Sequence, residues 1–402
     1  MQKLALDEEI LLQVEQPARY IGGEINSVKK DPDKVKLRFA MCFPDVYEIG
    51  MSHLGIQILY SMFNRREDVY CERVFSPWTD LDRILRERKI PLFTLESQRP
   101  VRECDFLGIT LQYEMCYTNI LQVLELSEIP LRAADRSDND PIVIGGGPCT
   151  YNPEPIAPFF DLFYMGEGEV IYDQLLDLYL AHKEAGGDRS SFLKKAAALP
   201  GIYVPSLYEP RYREDGTLSS FEPLCPEAPA SVRRLVMSVL DRADFIDTPL
   251  VPFIRVTQDR SVLELMRGCI RGCRFCQAGN AYRPQREHSV EYLKRYAEKL
   301  LKITGNEEIS LSSLSSSDYS RLQEFLEYLI QYTKERKINI SLPSLRIDAF
   351  SLDVMQRIQD VKKSSLTFAP EAGTQRLRDV INKGITEEDI MRGVSSAFHG
   401  GW

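Results

Sequence analysis

The stretch ELMRGCIRGCRFCQAG, residues 264–279, places Cys269, Cys273 and Cys276 at C-x3-C-x2-C spacing. It continues an apolar run, SVLELM (261–266), and leads into a helical pattern over Val290–Ile303. The cysteines therefore occupy a loop at the carboxyl end of a strand. Further on, EISLSSL (308–314), INISLPSL (338–345) and SLTFAPE (365–371) read as strands. Helices are expected over Arg321–Glu335, within 351–359 and over Glu387–Phe398. Four β/α units of this kind predict a parallel, right-handed, barrel-like arrangement.

The loop has a chemistry of its own. Gly268 and Gly272 give the backbone freedom to wrap one object and aim amide N–H groups at its sulfurs. Three thiolates at this pitch can hold three irons of a cubane and leave the fourth iron without a protein ligand. A structural zinc site is the alternative, with His288, twelve residues beyond Cys276, as fourth ligand. Inert core thiols are the other, although a glycine-flanked loop is a poor place to bury them.

Upstream, VKLRFAMCF (35–43), PLFTL (91–95), DFLGITL (105–111), PIVIGG (141–146) and LFYMG (162–166) read as strands. They alternate with helical patterns over His53–Phe63, 80–88, Tyr117–Leu126 and Val170–His182, which predicts a doubly wound parallel sheet. The segment 201–224 reads as a hairpin turning at Asp215-Gly216, and 225–232 as a linker. The expected divisions are a 1–34 extension, an α/β domain over 35–200, hairpin and linker over 201–252, and a β/α domain over 253–402. The last helix runs into His399-Gly400-Gly401-Trp402, and four units do not complete a barrel. A fragment or an early-ending version of a longer protein is expected.

The composition is globular, with 44% hydrophobic and 27% charged residues over 402 positions. A net charge of −9 argues against a chain coated for nucleic acid. Between Arg267 and Lys302, however, nine Lys/Arg stand against three Glu. That stretch is either a solvated face or a site for an anionic substrate or RNA. No membrane span or signal peptide is visible, so a cytoplasmic location is expected, with the nine cysteines as thiols or ligands.

The C-x3-C-x2-C motif, with Phe275 before its last cysteine, resembles the signature of the radical S-adenosylmethionine (SAM) superfamily. The resemblance implies a [4Fe–4S] cluster on Cys269, Cys273 and Cys276, with SAM chelating the open iron. It also implies a partial barrel, and one-electron cleavage of SAM to methionine and a 5′-deoxyadenosyl radical. The serine-rich stretch 310–318, including Ser313, stands where relatives place a glycine-rich element against the SAM amino group. Its other reading is a capping loop, with Ser317 or Asp318 as N-cap. LPSLRID (342–348) presents Arg346 and Asp348. APEAGTQRLRDVINKG (369–384) resembles a fourth-strand motif in which Glu371 approaches the SAM amine or ribose and Lys383 its carboxylate.

GGGPCTYNPEPI (145–156) and MGEGE (165–169) resemble late motifs of cobalamin-binding domains fused to radical SAM domains. Gly145, Gly146, Gly166 and Glu167 are the cofactor-binding candidates there. FPDVYEIGMSHLGIQIL (43–59) and the Tyr113–Asn119 region fit the same pattern. The Asp-x-His-x-x-Gly order of a cobalt-ligating histidine is missing around His53. Cobalamin held without a protein ligand, and a degenerate domain that positions substrate, both remain open.

The expected function is SAM cleavage at the cluster, with cobalamin-dependent methyl transfer as an extension and the substrate unnamed. A one-electron reductant such as flavodoxin or ferredoxin is implied. The alternatives are methylthio transfer to tRNA or protein, and a non-catalytic iron–sulfur module associated with RNA or translation. No second cysteine triplet for an auxiliary cluster is visible, since Cys42, Cys71 and Cys104 are far apart in sequence.

Overall fold

All seven residues of β1 (Leu37–Phe43) and of β2 (Val69–Phe75) are buried, as a strand covered on both faces requires. They begin a six-stranded sheet in the computed structural model, which describes residues 5–242, 246, 248–343, 345–349, 358 and 366–401. The other strands are β3 (Phe106–Thr110), β4 (Ile142–Gly146), β5 (Leu162–Tyr164) and β6 (Ile202–Tyr203). The order is β2-β1-β3-β4-β5-β6, parallel throughout except for β6. The winding direction reverses between β1 and β3. A crevice outside the strands' carboxyl ends at that point is where doubly wound sheets take ligands.

The apolar pattern put a strand at 91–95 and none at 69–75; the structure reverses this. Residues 91–95 make only an isolated bridge, Phe93 with Pro100. β2 escapes an apolar reading because Glu72 and Arg73 interrupt it. Their charges are matched inside the fold: Arg73 meets Glu24 and Glu96 at 2.6 Å each, and Glu72 meets Arg38 at 2.9 Å. The helix Arg189–Ala197, capped by Asp188, has no counterpart among the expected helices.

The chain divides into two compact units, 1–237 with 244–258, and 238–243 with 259–402. The N-terminal extension and most of the hairpin-linker region go with the first unit, while 238–243 of the linker go with the second. Leu6, Ile10, Val14 and Tyr20 join the first unit's core, as do Leu207, Tyr208, Ala228 and Leu250. The hairpin forms as expected, β7 (Tyr208–Tyr212) against β8 (Leu218–Pro223), with Gly216 at φ +79°. Among the described residues no helix is long and apolar enough to cross a membrane.

The second unit holds β9 (Ser261–Glu264), β12 (Glu308–Ser312) and β13 (Asn339–Ser341) as a parallel sheet in the order β13-β12-β9. Helices Val290–Thr304 and Leu322–Lys334 follow β9 and β12. The first is capped by Ser289 and ended by Gly305 at φ +68°. Between β9 and the first of these helices lies a two-rung antiparallel ladder, β10 (Met266–Arg267) with β11 (Arg286–Glu287). The strand expected at 365–371 does not form over 366–371. Pro370 offers no ladder donor and Glu371 adopts φ +68°, outside extended conformation. Ser365 and the helix expected within 351–359 lie outside the described residues, apart from helical Ile358.

Candidate functional site

The β10–β11 ladder closes the neck of the cysteine loop. Gly268 makes the neck possible: at φ +87°, a Cβ would come within 2.6 Å of the carbonyl oxygens of both Tyr282 and Pro284. Beyond it, Cys269, Cys273 and Cys276 are half-buried thiols outside any disulfide. The Arg271 amide donates to Cys269 Sγ at 3.4 Å. A Cβ on Gly279 would lie 4.0 Å from Cys276 Sγ.

Residues 380–383 run along the loop. The Arg274 amide donates to the Ile381 carbonyl at 2.9 Å and Asn382 Nδ2 to the Gly272 carbonyl at 2.8 Å. The Lys383 ammonium lies 5.9 Å from the Phe275 ring centroid and 3.0 Å from Glu371 Oε1. Arg346 grips Asp348 through two bonds of 3.0 and 2.9 Å, and its Nη2 donates to the Lys383 carbonyl at 3.4 Å. Glu371, Lys383 and Arg346 are therefore gathered with the cysteine loop. Ser313 pairs with Ser316 through their hydroxyls at 3.0 Å, just past β12.

Asp318 does not cap the next helix. Its carboxylate holds the Arg271 guanidinium, with Nε–Oδ2 at 2.9 Å, and accepts from Ser315 Oγ at 2.7 Å. Burial alone would raise the Asp318 carboxyl, but the bonds from Arg271 and Ser315 more than offset it and hold it below the usual range. No spacing rule links Arg271 to Asp318. The only signal was an arginine inside the motif and an aspartate at a strand exit.

His288 is not available as a zinc ligand of the loop. Its Nδ1 lies 3.1 Å from Asp241, its Nε2 3.9 Å from Glu264, and its ring stacks on Tyr292 at 4.0 Å. Burial would raise the Glu264 carboxyl, but His288 and Arg267 bring it below the usual range. Among the described residues no three His, Cys, Asp or Glu side chains close on a single metal ion. A cubane makes no such demand, because each thiolate goes to its own iron. Three unpaired thiols on a glycine-hinged loop, with an amide directed at one sulfur, fit that donor set.

In the first unit Gly166 and Gly145 are taken up by the fold. A Cβ on Gly166, at φ +131°, would strike the Leu235 backbone at 2.3 Å, so the close approach it permits is taken by Leu235. Glu167 Oε2 accepts from the Met237 amide at 2.8 Å. The space beside Gly145 is filled by Phe163 and Leu111, whereas among the described residues a Cβ on Gly146 would meet only the Tyr172 hydroxyl within 4 Å, at 3.6 Å. His53 Nδ1 accepts from the Ile56 amide as N-cap of the helix Leu54–Asn64. Burial, opposed by a bond to Gln112, lowers its pKa to about 4, so the ring is neutral near pH 7.

Residues 263–402 match the family described as the radical SAM superfamily, and residues 55–205 match radical SAM proteins, N-terminal. The chain thus carries two radical SAM domains, the N-terminal one over 55–205 and the superfamily domain over 263–402. It is 27% identical over 368 residues to an uncharacterised protein of Methanocaldococcus jannaschii, covering 89% of this chain and 66% of that one. It is 26% identical over 285 residues to an uncharacterised methyltransferase of Pyrococcus horikoshii, covering 66% and 52%. The chain thus spans about two thirds and about half the length of these relatives. Its fold is similar to that of cobalamin-dependent radical SAM enzyme OxsB with aqua-cobalamin bound (TM-score 0.55, 14% identity, covering 92% and 48%). It is equally similar to radical SAM methyltransferase TsrM of Kitasatospora setae with cobalamin and a [4Fe–4S] cluster bound (TM-score 0.55, 13% identity, covering 90% and 67%).

Proposed function

We propose that this protein is a cobalamin-dependent radical SAM methyltransferase. The observation that carries the proposal is the three-cysteine loop, cinched by the β10–β11 ladder and flanked by the Glu371–Lys383 pair. When bound, the cluster supplies the electron that splits SAM into methionine and a 5′-deoxyadenosyl radical, and cobalamin supplies a methyl carrier. Cys269, Cys273 and Cys276 would hold the cluster.

The chain's own residues then divide the binding work. Glu371 and Lys383 neutralise each other without a ligand. A zwitterionic amino acid offers each a new partner, its ammonium to Glu371 and its carboxylate to Lys383, so binding exchanges one ion pair for two. Arg346, locked on Asp348 and bonded to the Lys383 carbonyl, keeps the lysine segment in place. Ser313 contributes a hydroxyl at the β12 exit. In the first unit, Gly146 and the β1/β3 crevice would seat the corrin, while His53 serves as a helix cap. A flavodoxin- or ferredoxin-type cytoplasmic donor supplies the electron.

The test is anaerobic iron–sulfide reconstitution followed by incubation with SAM and dithionite. Formation of 5′-deoxyadenosine by wild type, and its loss when the three cysteines become alanine, is the expected result. Equal product from both, or none from wild type, overturns the proposal. Addition of cobalamin is expected to give a bound corrinoid spectrum.

A further inference from the structure

Arg271 stands between the first two cysteines and is held at three points. Its amide donates to Cys269 Sγ at 3.4 Å. Its carbonyl accepts from Arg283 Nη2 at 3.0 Å. Its guanidinium is paired with Asp318, which is 7% exposed in its side chain and anchored by the Ser315 hydroxyl at 2.7 Å. The tether runs from the exit of β12 to the middle of the cysteine loop, 47 residues apart in sequence. A surface ion pair alone contributes little. This one is partly enclosed and two-toothed, and it fixes the residue whose N–H faces a ligand sulfur.

We infer that Asp318 is a positioning residue for the cluster: through Arg271 it holds an amide N–H on the Cys269 sulfur and thereby sets how readily the cluster accepts an electron. The inference rests on the cluster reading above. Reduction adds negative charge to the sulfurs, and a donor aimed at one of them stabilises the reduced form more than the oxidised form. Releasing the tether lets the amide swing away and makes the cluster harder to reduce.

Charge must be separated from geometry in the test. Arg271→Gln combined with Asp318→Asn removes one cation and one anion, so the pair's net charge stays at zero. Arg271→Lys keeps the cation but replaces the two-toothed grip by a single contact. Two quantities are measured in the full chain. The first is backbone amide exchange of the 268–273 segment before any iron is added. The second is the midpoint potential of the reconstituted cluster, followed by electron paramagnetic resonance.

For the double variant we expect amide exchange to rise about tenfold and the reduction equilibrium to fall about three- to tenfold, the net scale of one ordinary hydrogen bond. Arg271→Lys is expected to lie between wild type and the double variant in both. Wild-type exchange together with a wild-type potential in the double variant overturns the inference. Should the double variant not fold, wild-type exchange in Arg271→Lys overturns it equally. A wild-type chain that takes up no cluster defeats the cluster reading, while the exchange measurement still decides the tether.

Discussion

Lys383 and Glu371 face each other across 3.0 Å beside the cysteine loop, with the lysine side chain 13% exposed and the glutamate 36%. Each is the other's counter-ion until a ligand offers a better one. Lys383→Ala and Glu371→Gln are each expected to weaken SAM binding by about three- to tenfold, the lower end allowing for the glutamate's exposure. The double variant should lose less than the product of the two, since each single change strands the other charge. Equilibrium dialysis of the reconstituted protein with labelled SAM checks this.

The neck of the loop admits only glycine at 268. Gly268→Ala drives a Cβ into two carbonyl oxygens at 2.6 Å, at a φ of +87°. A cost of about 1–3 kcal/mol is expected, together with reduced iron uptake on reconstitution. Gly186→Ala is the control. It also has positive φ, +68°, but among the described residues nothing lies within 4 Å of where a Cβ would stand. It should cost about 1 kcal/mol and leave iron content unchanged.

Arg73 is enclosed with Glu24 and Glu96, every side chain 1% exposed. Burial pushes the Glu96 carboxyl up to about 7; the Arg73 charge opposes this and the Glu24 charge adds to it. A folded-state pKa above the unfolded one means that the fold prefers the protonated carboxyl. That contribution is complete below the ordinary carboxylate range and is lost as pH rises from about 4.5 through 7. Glu96→Gln should therefore flatten the fall of the thermal midpoint between about pH 5 and pH 8. A midpoint that falls as steeply in the variant as in wild type counts against this.

Removing the cation of that cluster has the opposite character. Arg73→Leu leaves two carboxylates buried together without compensation and is expected to cost about 3–5 kcal/mol at neutral pH. The loss should shrink in acid, where the carboxyls protonate. Urea unfolding at two pH values distinguishes this from simple loss of packing, which would be equal at both.

Much of the fold is legible where one physical cause dominates. β1, β3 and β4 are nearly unbroken apolar runs, and their positions follow from that alone. β2 is not legible, because Glu72 and Arg73 find partners from residues 24, 38 and 96, and no local window contains them. The cysteine triplet is readable because its chemistry lies in its spacing. Arg271–Asp318 and Asn382–Gly272 are not, because tertiary structure alone makes them neighbours. Gly166 illustrates a subtler limit. Its pattern signals a close backbone approach, but the sequence does not say by what, and Leu235 is what arrives.

The two rungs joining Met266 to Glu287 and Arg267 to Arg286 make everything between them a closed eyelet with a fixed perimeter. Its two ends are fixed at the neck, and Asp318, Ile381 and Asn382 reach it from outside. Such a piece can be exchanged as a cassette. The equivalent stretch of a radical SAM relative, cut at the same rungs and put in place of 268–285, should graft onto this scaffold without moving β9 or the helix Val290–Thr304.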